Sequence, residues 1–170
     1  MCSSDLFDWH TGTIEGRRRN VQWFPHAEQM LILARPEVGD GQSSAAWIAN
    51  FIGDTRLSLG STSAALVSYQ RSLAIAERLA AADPGNAGWQ RDLSVSHEKI
   101  GDVLVDQGSL PTALDAYTAS LAIRQRLATA DPGNSGWQRD LSVSHDRIGQ
   151  ILEKAGRLDE ALVHYAKDLG

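Results

Sequence analysis

Two serine–histidine pairs, each with an aspartate one turn earlier, are the residues of this chain whose types could do covalent chemistry. Ser96-His97 follow Asp92, and Ser144-His145 follow Asp140. A serine activated by a histidine that a carboxylate orients is the constellation of acyl transfer. The spacing does not serve it, because adjacent residues on a helix point about 100° apart. The whole pattern also occurs twice, and an active site is seldom copied into successive repeats. No catalytic residue and no enzymatic activity is expected. His97 and His145 could instead share a metal ion, but zinc takes three or four ligands and no carboxylate on that face clearly joins them. The expectation is a pair of histidines packed between helices, with no metal. Cys2 is the single cysteine, which excludes an intrachain disulfide and a four-cysteine zinc site. GDGQSS, residues 39–44, lacks the lysine of a phosphate loop, follows no strand pattern and reads as a loop. No cofactor is expected.

The elements that carry these residues come from a repeat. DPGNAGWQRDLSVSHEKIGD begins at Asp83, DPGNSGWQRDLSVSHDRIGQ begins at Asp131, and the two agree at 16 of 20 positions. The offset of 48 also relates Ile52-Gly53, Ile100-Gly101 and Ile148-Gly149, and a second glycine follows at Gly60, Gly108 and Gly156. Ala-Leu recurs at Ala65, Ala113 and Ala161. Tyrosine recurs at Tyr69, Tyr117 and Tyr165, and proline at Pro36, Pro84 and Pro132.

Each period reads as two helices. In helix A, about residues 88–107, Trp89, Leu93, His97, Ile100 and Leu104 step by three and four and make one apolar face. Gly108 ends it, Ser109 is the candidate N-cap of the next helix, and Pro111 falls in a first turn, where its missing N–H costs nothing. Helix B carries Ala113, Leu114, Tyr117, Leu121 and Leu127 and stops at the breakers Asp131-Pro132-Gly133-Asn134. Gly53, Gly101 and Gly149 lie inside helix A, where glycine costs about 1 kcal/mol against alanine. Their recurrence implies a close approach of helix B, with Ala65, Ala113 and Ala161 as the small partners. One such pair cannot bury both its faces, so pairs must stack. The fold class is all-α, an α-solenoid of stacked antiparallel helix pairs. Seven helices are expected from about residue 24, with turns near Gly60, Pro84, Gly108, Pro132 and Gly156.

The order Ile-Gly, Leu, Gly, Ala-Leu, Tyr, Ser-Leu in residues 100–121, and GRLDEALVHY at residues 156–165, resemble the tetratricopeptide repeat signature. The resemblance covers roughly residues 25–170. The period of 48 exceeds that family's usual length of about 34 and is similar to the longer repeats of kinesin light chain and its bacterial relatives. Arg56 departs from the pattern, standing where Leu104 and Leu152 stand later, and His97 and His145 occupy a column that often holds a large apolar residue. The resemblance implies a right-handed superhelix whose A helices line a concave groove, and a function in binding peptides or helices of partner proteins.

Net charge is −5 over 170 residues. That opposes non-specific nucleic-acid binding and a membrane-surface role, both of which draw on cations. The longest early apolar run, Met30 to Ala34, is too short to span a bilayer. A cytoplasmic location is the default expectation. Two domains of unlike character are expected. Residues 1–21 form a disordered, non-repeat tail, in which Arg17-Arg18-Arg19 are solvated. Its CSSDL stretch, residues 2–6, reads like a translated sequencing adapter and is given no function. Residues 22–170 form the array, whose last helix is shortened, as in a fragment of a longer protein.

About a quarter-turn from the apolar face of helix A runs a second stripe. It comprises Val95, Glu98, Asp102, Val105 and Asp106 in the middle repeat. Val143, Asp146, Gln150, Glu153 and Lys154 follow in the next, and Trp47, Asn50, Asp54, Leu57 and Ser58 precede them. This is where the family's inner surface would lie. The expected function is a scaffold that binds a basic, partly apolar peptide or helix there. Trp47, Val95 and Val143 would form the floor, with Asn50, Asp54, Glu98, Asp102, Asp106, Asp146, Gln150 and Glu153 around it. The carboxylates are expected to be exposed, so that reversing Glu98, Asp102 and Asp146 to lysine would leave the fold intact. The alternative is a spacer or self-association module of a larger multidomain signalling protein.

Overall fold

The asparagine of each Asp-Pro-Gly-Asn turn begins a helix, and the glycine 22 residues later ends it. Asn86 Oδ1 accepts the backbone N–H of Trp89 at 3.1 Å, and Asn134 Oδ1 those of Gly136 and Trp137. These bonds satisfy amides that a helix start leaves without partners. At the other end Gly60, Gly108 and Gly156 take φ near +75°, a left-handed conformation that favours glycine. Two bonds close each such turn, as in Ser109 N–H to Leu104 O at 2.8 Å and Gly108 N–H to Val105 O at 2.9 Å.

In the computed structural model, which describes residues 40–168, these signals delimit six helices. They are α1 (Asp40–Ser58), α2 (Thr62–Ala82), α3 (Ala87–Asp106), α4 (Leu110–Ala130), α5 (Ser135–Lys154) and α6 (Leu158–Asp168). No strand occurs among the described residues, and the fold is an all-α solenoid in which each helix packs on the next. The A helices are α1, α3 and α5; the B helices are α2, α4 and α6. All five expected turns are present. The first of the seven expected helices lies outside the described residues, as do residues 1–21.

Two local expectations need correction. Residues 40–44, read as a loop, form the first turn of α1. They occupy the register that residues 88–92 hold in α3, so the repeat overrides the local glycine content. Ser109 stands at the N-cap of α4, but its hydroxyl caps nothing, and the same holds for Ser61 before α2.

The close approach at the helix-A glycines is present, with a different partner. A β-carbon on Gly101 would lie 2.8 Å from the ring of Tyr117, and Gly53 and Gly149 face Tyr69 and Tyr165 in the same way. Ala65, Ala113 and Ala161 are buried in the same clusters as these rings. Each pair then rests on the next. Tyr69 and Ala65 of α2 bury Val103 of α3, and Tyr117 and Ala113 of α4 meet Ile148, Ile151 and Leu152 of α5.

The deepest positions of α3 are Ser94, Ser96, Gly101 and Val103. Leu93, His97, Ile100 and Leu104, the expected buried face, are only partly buried. The reason is that α3 is clasped from two sides. Ser96 touches Ser72 of α2 and Gly101 touches Tyr117 of α4, while the apolar line runs between these two contact lines. Arg56, the departure from the leucine column, lies across α2, donating to Ser68 Oγ at 2.8 Å and Ala64 O at 3.3 Å.

Gly101→Ala tests the tyrosine contact. On an open helix this change would add about 1 kcal/mol of stability. Here the new methyl would lie 2.8 Å from a buried ring that must shift, and a net loss of about 1–3 kcal/mol is expected in urea denaturation. A gain in stability would show that the ring does not constrain helix A.

Candidate functional site

The A helices of successive repeats are joined by their charges. Lys99 Nζ of α3 lies 2.7 Å from Asp54 Oδ1 of α1, Arg91 Nε of α3 lies 2.6 Å from Asp140 Oδ2 of α5, and Arg147 Nε of α5 lies 3.8 Å from Glu98 Oε1 of α3. The stripe is therefore not simply acidic. Lys99 and Arg147 follow Glu98 and Asp146 in sequence, and both reach back to the preceding A helix.

Several carboxylates of the stripe are engaged by their own fold. Tyr69 Oη donates to Asp54 Oδ1 at 2.7 Å, Tyr117 Oη to Asp102 Oδ1 at 2.6 Å, and Tyr165 Oη to Glu153 Oε2 at 2.9 Å. Gln150 stands in the column of Asp54 and Asp102, so the third tyrosine takes a carboxylate one turn further on. Burial, first, and the aspartate bond, second, push the Tyr69 and Tyr117 hydroxyls well above their ordinary range. Both stay protonated donors throughout the physiological pH range.

Glu98 departs furthest from expectation. Its side chain is only 16% exposed and accepts a hydrogen bond from Arg124 Nη2 of α4, itself 4% exposed. Arg124 also donates to Ser144 Oγ at 3.0 Å, to Asp140 O at 3.1 Å and to Ser94 Oγ at 3.3 Å. Glu98 is thus part of the core, and Asp102 is a tyrosine acceptor. Neither is the free surface acid expected from the helical angle alone. Arg124 lies on helix B, outside the helix-A stripe. The available signal was its column, which holds Ala76 one repeat earlier. Its arrival accompanies a further detail. Between the first two repeats Ser72 Oγ meets Ser96 Oγ at 3.1 Å and donates to Ala46 O at 3.0 Å. The equivalent Ser120 Oγ is buried without a hydrogen-bond partner, and Ser144, in the column of Ser96, accepts from Arg124 instead.

The remaining stripe residues are divided, with Val105 and Leu57 packed against the core clusters. Trp47 is 67% exposed and stacks on Phe51, ring centroids 5.7 Å apart. Val143 is exposed and Val95 half-buried. Asn50 is half-buried, and its Oδ1 has no hydrogen-bond partner. Asp146, half-buried, accepts from Gln150 Nε2 at 2.7 Å. Asp106 is exposed and has no ion pair among the described residues.

Between α3 and α5 the stripe opens into a cleft of about 270 Å³. Asp102, Val105 and Asp106 line one wall, and Arg147, Gln150 and Lys154 the other, with Tyr117 and Ile151 beneath. Three of the expected site residues, Asp102, Asp106 and Gln150, meet here. Trp47, Asn50 and Asp54 of α1 do not line this cleft.

The histidines are not a matched pair. His145 is buried, with Nδ1 3.1 Å from Nδ1 of His164 on α6, so one ring donates and the other accepts. His97 is half-buried, and the column of His164 holds Ala116 in its repeat. The serines beside them are turned away. Ser96 and Ser144 donate to the backbone carbonyls of Asp92 and Asp140 and are buried. Among the described residues no three His, Cys, Asp or Glu side chains form a cluster that could hold a metal, and no helix is long and apolar enough to cross a membrane.

No known family model matches the chain, and no curated protein matches it.

Two outcomes follow from this packing. Glu98→Lys places a second cation against buried Arg124, and a loss of about 3–5 kcal/mol in chemical denaturation is expected. Asp146→Lys, on the outer face, should change stability by less than about 1 kcal/mol. Equal effects would refute the division of the stripe into core and surface acids. The second outcome concerns pH. Burial lowers the pKa of His97 against an opposing pull from Glu77, and burial, aided by Lys167 and opposed by Glu160, lowers that of His164. Below the ordinary histidine value of about 6.5 the unfolded chain therefore binds more protons than the folded one. Stability should be full above that value and fall as pH drops, read as a lower Tm at pH 5.5 than at pH 7.5. His164→Gln should reduce the difference.

Proposed function

We propose that this chain is a tetratricopeptide-type interaction module that holds a peptide or helix of a partner protein along the face of its A helices. The observation that carries this reading is the cleft between α3 and α5. Its two walls come from equivalent turns of successive repeats, and its mouth carries two exposed charges, Asp106 and Lys154, that form no ion pair among the described residues. Repetition of such walls along a solenoid produces an extended surface suited to a linear ligand. Asp106, Asp146 and Glu153 outside the core favour a basic segment, and exposed Trp47, Phe51 and Val143 offer apolar contact. Charges at such a rim tune encounter and salt dependence, while the apolar contacts supply more of the affinity.

A second reading is self-association or spacing within a larger assembly, through the exposed apolar side chains Leu158, Leu162 and Val163 of α6. A mass that rises with concentration in light scattering, together with no peptide binding, would favour this second reading.

The test is a peptide-array screen of the wild type and of Asp106→Lys/Asp146→Lys. These positions replace Glu98 and Asp102, whose reversal would disturb the core. The wild type should retain peptides that combine Lys or Arg with apolar residues, and the variant should lose them at an unchanged Tm. Preference of the wild type for acidic peptides, or identical binding by both proteins, would overturn the reading.

A further inference from the structure

The cleft between α3 and α5 has an internal counterpart one repeat earlier, and the two differ in how their carboxylate is neutralised. Between α1 and α3, Asp54 Oδ1 accepts from Tyr69 Oη and also binds Lys99 Nζ at 2.7 Å, with the ammonium 6.0 Å from the centre of the tyrosine ring. A cation supplied by the following repeat thus completes the carboxylate–tyrosine pair.

Between α3 and α5 the same pair is present, Asp102 with Tyr117 at 2.6 Å. The cation in the column of Lys99 is Arg147, and its Nε lies 3.8 Å from Glu98, one turn before Asp102. Asp102 forms no ion pair among the described residues. The cleft lies at this place, with Asp106 one turn beyond Asp102 on the same wall. The opposite wall differs in sign. Lys154 stands where the earlier repeat has Asp106, and Gln150 where it has Asp102. The third repeat has Gln150 and Lys154 in these columns, so among the described residues the arrangement occurs at this junction.

We infer that the α3–α5 cleft recognises a partner segment bearing one cationic side chain and one carboxylate close together. The cation lies against Asp102 and Asp106, as Lys99 lies against Asp54, and the carboxylate lies against Arg147 and Lys154. The aliphatic parts of the two side chains rest on Val105 and Ile151. This rests on the interaction-module reading and adds the charge pattern of the ligand. A segment of purely positive charge would leave the Arg147–Lys154 wall opposed by a like charge, and a purely negative one would face Asp102 and Asp106. The cleft volume of about 270 Å³ suits a few side chains rather than a folded surface.

The experiment measures the full chain against fluorescent ten-residue peptides. Each has an alanine–leucine background with one lysine and one glutamate separated by one to five residues. Matched peptides carry glutamine in place of either charge. At least one two-charge spacing should bind tenfold or more tightly than both of its single-charge matches. Asp106→Lys should remove the advantage given by the lysine, and Lys154→Glu that given by the glutamate. Both residues are exposed and make no ion pair among the described residues, so the two variants should melt with the wild type. If lysine-only peptides bind as well as two-charge ones, the two-charge inference is overturned while the interaction-module reading stands. If nothing binds here or in the array screen, both fall.

Discussion

The contact between a tyrosine ring on each B helix and a glycine on its A helix is the constraint on which the rest of the array depends. The ring occupies the space a β-carbon would need, so the two helices can approach only at that level. The phenol is then tethered to a carboxylate of the A helix, the next residue for Tyr69 and Tyr117 and one turn later for Tyr165. Packing fixes the distance between the helices, and the hydrogen bond fixes their sliding. Aromatic side chains with a satisfied polar tip suit this task, because the ring is rigid and a buried hydroxyl without a partner is costly.

That contact also sets the chemistry of the A-helix face. A carboxylate that accepts a tyrosine hydroxyl stays on the surface stripe but is oriented by the core, and it draws cations from the next repeat. Lys99 answers Asp54 in this way. One repeat later the pattern is diverted, because buried Arg124 recruits Glu98, and Glu98 in turn holds Arg147. A buried arginine is costly unless its donors are matched, and here its partners are Glu98, two serines and one backbone carbonyl. The result is a junction between α3 and α5 that differs in charge from its neighbour on the same scaffold.

The period, the helix ends and the pairing of helices are all decided by the amino-acid sequence alone. Glycine at a left-handed φ, proline in a first turn and asparagine at an N-cap act through the backbone within a few residues, so their effect can be read locally. The 48-residue identity carries that local reading from repeat to repeat, and even turns residues 40–44 into helix against their composition. The angular position of the stripe on helix A was legible in the same way, since it depends only on about 100° per residue. What tertiary structure decided is which of those residues remain available. Glu98 and Asp106 lie on one stripe of one helix, yet one is held by Arg124 in the core and the other stands in solvent. His97 and His145 share a column, yet only His145 meets a second histidine, because only the third B helix carries one at that level. These outcomes depend on side chains reaching from other helices, 26 and 19 residues away along the chain. Helical periodicity gives the direction in which a side chain points but not what stands opposite it. For that reason the fold could be read from the sequence, whereas the division of its charges between core and binding face came from the packed helices.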